Sequence, residues 1–441
     1  MGAHRVDVRQ KIAKELQAKL SPTEKVMMTR KPTENGEAYL AFVQAHNLFM
    51  NPEDLAKQKQ AEQLYERALE LDPSFALACA RLSQLESWLY HTFEPTSQHR
   101  EKSRTLAERA LRLQADLPEG HLALGFSIYY LERDYERALK EFALAQKGLP
   151  NEAEVYLAIG AIQRRQGNWT ESTANQEKAV TLSPNDTWPL QNLTLNYQML
   201  RNFDAADKTI DRALKLAPRS FNLWSLKAQN EIAGKGTFET TKRASEALAS
   251  KTLSEEDRIH IEGALIDTLL LQRKYAEALQ RAEKLTDESL AREPEGALFK
   301  YEHMGIARNL LGDKTGAREA LLTAKRRCEK YVSDSPDDGK RLSKLAGILA
   351  WLGEKDAAIA EGKRAMELLP ESVDAFEGPS VTQSLAEIYA IVGEQEKAID
   401  LLDGLLGRPS PVTVAMLKLV PIWDPLRGNP RFISLLKKYG G

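Results

Sequence analysis

Apolar residues recur at i, i+3, i+4 and i+7 along most of this chain. That spacing gives each segment one apolar stripe at helical period, and no stretch shows the alternation of a strand. The stripes come in pairs, and a finer pattern lies over them. A Gly is followed two positions on by a large residue or Lys, five on by Ala, seven later by Ala again, and often then by Pro. Gly353, Ala358, Ala365 and Pro370 show it, as do Gly312, Ala317 and Ala324, and Gly167, Trp169, Ala179 and Pro184. The chemistry fits a helix–turn–helix unit. Small residues (Gly160, Ala228, Gly305, Ala386) fall where one helix would cross its partner, a place where bulk holds two backbones apart. Gly167, Gly312, Gly353 and Gly393 fall between helices, where a left-handed residue ends the first helix at little cost. The proline then stops the second helix.

Tyr156, Ile159, Gly160, Gly167, Trp169, Ala179 and Pro184, followed 34 residues later by Leu193, Tyr197, Phe203, Ala206, Ala213 and Pro218, resemble the tetratricopeptide signature. The resemblance covers nearly the whole chain. It implies an all-α, right-handed α-α superhelical solenoid of about ten units, beginning near Tyr39, Ala76, Gly120, Ala153, Thr187, Phe221, Arg258, Leu298, Lys340 and Val381. The expected organisation is an amphipathic helix and linker over 1–38, a repeat array over 39–411, and a capping segment over 412–441. The leading helix carries Val8, Ile12, Leu16 and Leu20 on one stripe, and Trp423, Leu426, Phe432, Leu435 and Leu436 supply the apolar side of the cap. The second unit is the most distended, with LYHTFEPTSQHREK expected to replace a tight turn. The two end segments also resemble the tetratricopeptide half of bacterial multidomain signalling proteins, in which a kinase, winged-helix or cyclase-type output domain precedes the array. On that resemblance the chain begins inside the array's leading helix, and an output domain would lie outside it.

Charge and composition narrow the function. Lys and Arg total 61 against 63 Asp and Glu, a net charge of −2, which argues against nucleic acid as the main partner. The longest run without charged or strongly polar residues is nine, over 345–353, far short of the ~20 that a membrane helix needs. The N-terminal stretch has no apolar core of a secretory signal. Cys79 and Cys328 are too far apart in sequence for a disulfide framework or a metal cluster, and fit buried thiols in a reducing, cytoplasmic setting. The seven histidines are scattered, and His260 and His303 have no partner at ligand spacing. Asp337 and Asp338 read as a solvated turn. No phosphate-cradling loop, HExxH, nucleophile elbow or kinase loop occurs. The expectation is a non-enzymatic chain without cofactor or metal.

What remains is a surface. The tetratricopeptide resemblance implies that first helices line a concave face, which would present Phe126, Tyr129, Tyr130, Arg164, Arg165, Trp188, Gln191 and Gln198. Aromatics beside Arg and amides are the composition of a protein-binding hot spot. Leu157 and Ala161 stand where the chaperone-binding subclass would carry its clamp Lys and Asn, which disfavours that partner. The leading expectation is a scaffold that grips a peptide or a partner helix; the rival is the regulatory arm of a bacterial signalling kinase, cyclase or transcription regulator.

Overall fold

The computed structural model describes residues 31–50, 54–247, 255–288, 290 and 296–440; the stripe of Val8, Ile12, Leu16 and Leu20 lies outside them. Among the described residues there is no strand. Ten helix–turn–helix pairs follow one another. They are α1 (Gly36–Phe49) with α2 (Leu55–Leu71), α3 (Ala76–Thr92) with α4 (Ser97–Leu113), and α5 (Pro118–Ser127) with α6 (Tyr135–Gly148). Next come α7 (Ala153–Arg165) with α8 (Trp169–Leu182), α9 (Thr187–Met199) with α10 (Phe203–Leu216), and α11 (Phe221–Lys235) with α12 (Glu239–Ala247). Pairs seven and eight are α13 (Glu255–Leu271) with α14 (Tyr275–Lys284) and α15 (Gly296–Leu311) with α16 (Lys314–Ser333). Then α17 (Gly339–Trp351) joins α18 (Lys355–Leu368), and α19 (Gly378–Ile391) joins α20 (Gln395–Leu406). After the pairs come α21 (Val414–Leu419), a 3-10 turn (Pro421–Leu426) and α22 (Pro430–Gly440).

The punctuation residues act where their chemistry requires. From the third pair to the tenth, one residue in each inter-helix turn has positive φ: Arg133, Gly167, Arg201, Gly236, Arg273, Gly312, Gly353 and Gly393. Three of these are arginines, so the left-handed slot is not always filled by the residue that suits it best. Pro73, Pro150, Pro184, Pro218 and Pro370 each stand two residues beyond the last residue of a second helix. At the crossings, a Cβ on Gly125 would lie 2.4 Å from the Phe142 ring, and one on Gly305 would lie 2.5 Å from Leu321. Any side chain there would force the helices of pairs three and eight apart.

One expectation is corrected. The tract LYHTFEPTSQHREK is not an open insertion, because α3 continues to Thr92 and α4 begins at Ser97. Thr96 closes the gap by accepting the His99 N–H. The tract is helical because its second half carries on the stripe His99, Ser103, Leu106, Ala107 and Ala110, all buried.

The described residues form two compact units, divided within the fourth pair. One takes residues up to Ile162 with Ala174–Ser183; the other takes Gln163–Thr173 and everything from Pro184. The first is built around Tyr65, Phe75, Leu82 and Leu85. At the end of the second, Trp423, Leu426, Phe432 and Leu435 pack on Leu402 and Leu405. Cys79 and Cys328 are both fully buried free thiols.

Candidate functional site

Within the second unit, the end of α7 receives a stretch of the chain's own backbone. The turn glycines Gly353 and Gly393 are 40 residues apart, whereas Arg133, Gly167 and Arg201 follow at 34. The added length lies over 370–377, between α18 and α19. Asp374, almost fully buried, pairs through Oδ2 with the Arg165 guanidinium. Its other oxygen accepts the N–H groups of Phe376 and Glu377, both at 3.0 Å. The Phe376 ring lies under the Arg164 guanidinium, 4.1 Å from Cζ to centroid. The Ala375 N–H donates to the Arg165 carbonyl at 2.7 Å. Arg164 is itself oriented by Asn192 and Asn196 on α9, whose side-chain oxygens accept from it at 3.4 Å each. Burial pushes the Glu377 carboxyl up, but Lys340 and Arg165 together bring it below its ordinary value. At the base of the stretch, Glu371 accepts both arms of Arg408 and the Thr382 hydroxyl. These outweigh burial, and its pKa falls below the ordinary value.

A second stretch continues along neighbouring turns. Arg201 donates to the carbonyls of Leu405 and Val412 and to Ser410 Oγ, at 2.8–3.1 Å. Ser410 N–H donates to the Met199 carbonyl, and the Thr413 hydroxyl to that of Ala233. A Cβ on Gly236 would touch Leu419 at 3.5 Å, and Arg273 pairs with Asp424 at 2.8 Å. The turn residues 167, 201, 236 and 273 thus meet 375, 410–412, 419 and 424 in the same order along the chain.

The sequence-selected residues divide accordingly. Arg164 and Arg165 are not open to solvent in the way an empty groove requires; both are taken by 374–377. Gln198 donates to the Leu226 carbonyl on the next first helix, a packing bond between repeats. Gln191 is buried and Trp188 half-buried, with the Trp188 N–H donating to Asp186 at the start of α9. In the first unit, Tyr129 is buried, while Phe126 and Tyr130 are half-buried. Tyr130 stacks between His91 (4.3 Å, 16°) and Phe126 (5.6 Å, 14°). Tyr129 and Tyr130 sit in a single π-turn, Ile128–Glu132, that ends α5 at Arg133.

Two polar clusters escape sequence reasoning. In the first unit, Lys102 Nζ lies 2.6–2.7 Å from carboxylate oxygens of Glu62, Glu66 and Glu86. His99 bridges Glu86 (2.5 Å) and Glu94 (3.0 Å). Burial raises the Glu86 pKa against the pull of Lys102 and His99. Glu62, Glu86 and His99 converge as metal ligands would, but the cation among the carboxylates is the Lys102 ammonium. In the second unit, His303 is held between repeats. Asp267 on the preceding first helix accepts from its Nε2 at 2.8 Å, while the ring stacks on Phe299. Asp338 is not merely a solvated turn residue: it caps α17 through the N–H groups of Lys340 and Arg341.

Pairs of helices with small crossing residues, left-handed turns and closing prolines define a tetratricopeptide-like helical-repeat fold. No family model matches the sequence, and no curated protein does. Among solved structures the chain is similar to human IFIT1 crystallised with m7Gppp-AAAA, at 16% identity over 83% of this chain and 77% of that one (TM-score 0.48). It is also similar to a thermophilic TPR protein of Thermus thermophilus, TTC0263, at 18% identity over 44% of this chain and 99% of that one (TM-score 0.38). A third similar structure is yeast Tom70, at 16% identity over 92% of each chain (TM-score 0.35).

Proposed function

We propose that this chain is a non-enzymatic interaction scaffold that grips a peptide or a partner helix along the first helices of its repeats. The observation that carries the reading is the seat at the end of α7. There the 374–377 turn is held by an ion pair, a cation–π contact and one backbone hydrogen bond, which are the means by which a groove holds a peptide. Repeats suit such work, since each adds contact area without needing a closed core. The balanced charge of the chain favours a protein partner over nucleic acid. A cytoplasmic setting fits the two buried free thiols.

The test uses a residue of the first-helix surface outside the 374–377 seat. An anchor at the centre of an interface is worth more than about 2 kcal/mol of binding. Trp188→Ala is therefore expected to weaken capture of the protein recovered with this chain from its source cells by more than about tenfold, with melting temperature nearly unchanged. A Trp188→Ala chain that melts early yet binds normally would make Trp188 a packing residue and remove the reading.

The second reading is the regulatory arm of a bacterial signalling kinase, cyclase or transcription regulator. It draws on the closing segment, where Trp423, Leu426, Phe432 and Leu435 form one buried cluster. The gene sequence preceding residue 1 decides it: an uninterrupted kinase, winged-helix or cyclase frame supports it, and a non-coding stretch removes it.

A further inference from the structure

The seat at the end of α7 has a property that ordinary repeat packing does not require. The residues it holds form their turn through bonds local to 370–378. Asp374 Oδ1 accepts from the amides two and three positions on, and the Gly378 N–H returns to the Asp374 carbonyl at 2.9 Å. An Asx turn of this kind is local and forms in short peptides. What the seat contributes is separate: Arg165 for the remaining carboxylate oxygen, Arg164 for the phenyl ring, the Arg165 carbonyl for the Ala375 amide, and Lys340 for Glu377 at 3.0 Å. Three cations thus face Asp374, Phe376 and Glu377, and one of them is preset by Asn192 and Asn196 before any ligand arrives. The held segment belongs to the longer-than-34 spacing between Gly353 and Gly393. It is length added to the repeat and not the repeat itself.

We propose that Arg164 and Arg165 form a receptor for a short acidic-aromatic sequence, Asp-x-Phe-Glu, and that 374–377 occupy it as a resident copy which a partner bearing the same sequence displaces. This rests on the scaffold reading above and names the chemistry of its partner. The ligand makes its own turn, places one carboxylate on Arg165 and one ring under Arg164, and sets its second acid against Lys340. Binding in trans therefore competes with a tethered segment, so the chain's affinity for such a partner is lowered by the fraction of time the resident copy is seated.

The probe is a synthetic peptide copying 370–379, with a control in which the residues copying Asp374 and Phe376 are both alanine. In the wild-type chain, millimolar peptide is expected to speed hydrogen exchange at the Ala375 amide by at least about tenfold, because displacement frees that N–H from the Arg165 carbonyl. The control peptide leaves it unchanged. In a chain carrying Asp374→Asn with Phe376→Ala, which keeps the turn acceptor and removes both anchors, labelled peptide binds at least about tenfold tighter than to wild type. Adding Arg165→Ala reverses that gain. Unchanged exchange at Ala375 overturns the proposal, as does equal binding of the peptide and its control. If the doubly substituted chain does not fold, the wild-type exchange measurement decides alone. A failed peptide leaves the scaffold reading intact, because that stands on partner capture by Trp188→Ala.

Discussion

The turns of pairs five and seven and those of pairs eight to ten occupy the same backbone slot and fill it differently. Arg201 and Arg273 adopt φ of 56° and 61° there, while Gly312, Gly353 and Gly393 hold φ of 80–87°. A Cβ on any of those three glycines would meet nothing within 4 Å. A side chain in this conformation costs about 1–2 kcal/mol, so open turns keep glycine. Arg201 recovers that cost through three acceptors on 405–412, since hydrogen bonds from a charged donor are worth about 1.5–3 kcal/mol each. Arg201 and Arg273 thus bond a distant stretch from this slot, whereas Gly167 and Gly236 have Ala375 and Leu419 only 3.5 Å from where a Cβ would stand and take no side chain.

The strongest way to break this contrast is at the seat of the first turn in the row. Asp374→Ala removes the partner of a nearly buried Arg165 and the oxygen that accepts the Phe376 and Glu377 amides just before α19. It is expected to cost about 2–4 kcal/mol in urea unfolding, the low side of a buried pair because Glu377 still faces Arg165 at 3.8 Å. Arg201→Ala keeps the strained φ and abandons the Leu405 and Val412 carbonyls, at about 2–3 kcal/mol in the same assay. Acid acts next. Glu371 and Glu377 have folded pKa values held below their ordinary one, so their contribution is present above that value and is lost as pH falls through the lower, folded one. Protection from hydrogen exchange around 370–377, taken relative to the intrinsic rate at each pH, should therefore fall below about pH 4.5, before that of the Gly353 turn. Gly353→Ala bears only the cost of the left-handed backbone, about 1 kcal/mol. The smallest effect is at the last turn of the row: Arg273→Gly relieves φ while losing the half-exposed Asp424 pair and a 3.4 Å bond to the Leu419 carbonyl, so its melting temperature should barely move. A fall as large as that of Arg201→Ala would show that the Arg273 side chain holds the 419–424 stretch as firmly as Arg201 holds 405–412.

Much of this was readable because a repeat announces itself locally. Ala76, Ala153, Thr187 and Phe221, near which the tetratricopeptide resemblance starts its units, are the first residues of α3, α7, α9 and α11. The turn glycines and closing prolines follow from single-residue backbone chemistry. The seat was not readable, since Arg165 and Asp374 are 209 residues apart and nothing in helical periodicity links them. Glu86 and His99 meet across two helices at a separation of 13, which matches no spacing on one helix. A partial signal did exist at Arg201 and Arg273, arginines at the position where most other repeats carry glycine, but Arg133 shares the slot outside the docked row, and Gly167 and Gly236 lie in it as glycines. At Gln198 the sequence signal is ambiguous, because a polar side chain on a first helix satisfies a neighbouring repeat's carbonyl as readily as a ligand.

The bonds from Arg165, Arg201 and Ala233 to 374–413 span 180–211 residues. A linear array in which each repeat touches only its neighbours can nucleate anywhere and zip outward, with rates set by local contacts. These long-range bonds form only after a large loop has closed, a search whose entropy rises slowly with loop length but must be met before any of them contributes. The second unit should therefore fold in two kinetic stages, fast growth of helix pairs and then a slower docking of the 370–424 region, with unfolding rate governed by how firmly that last step is latched.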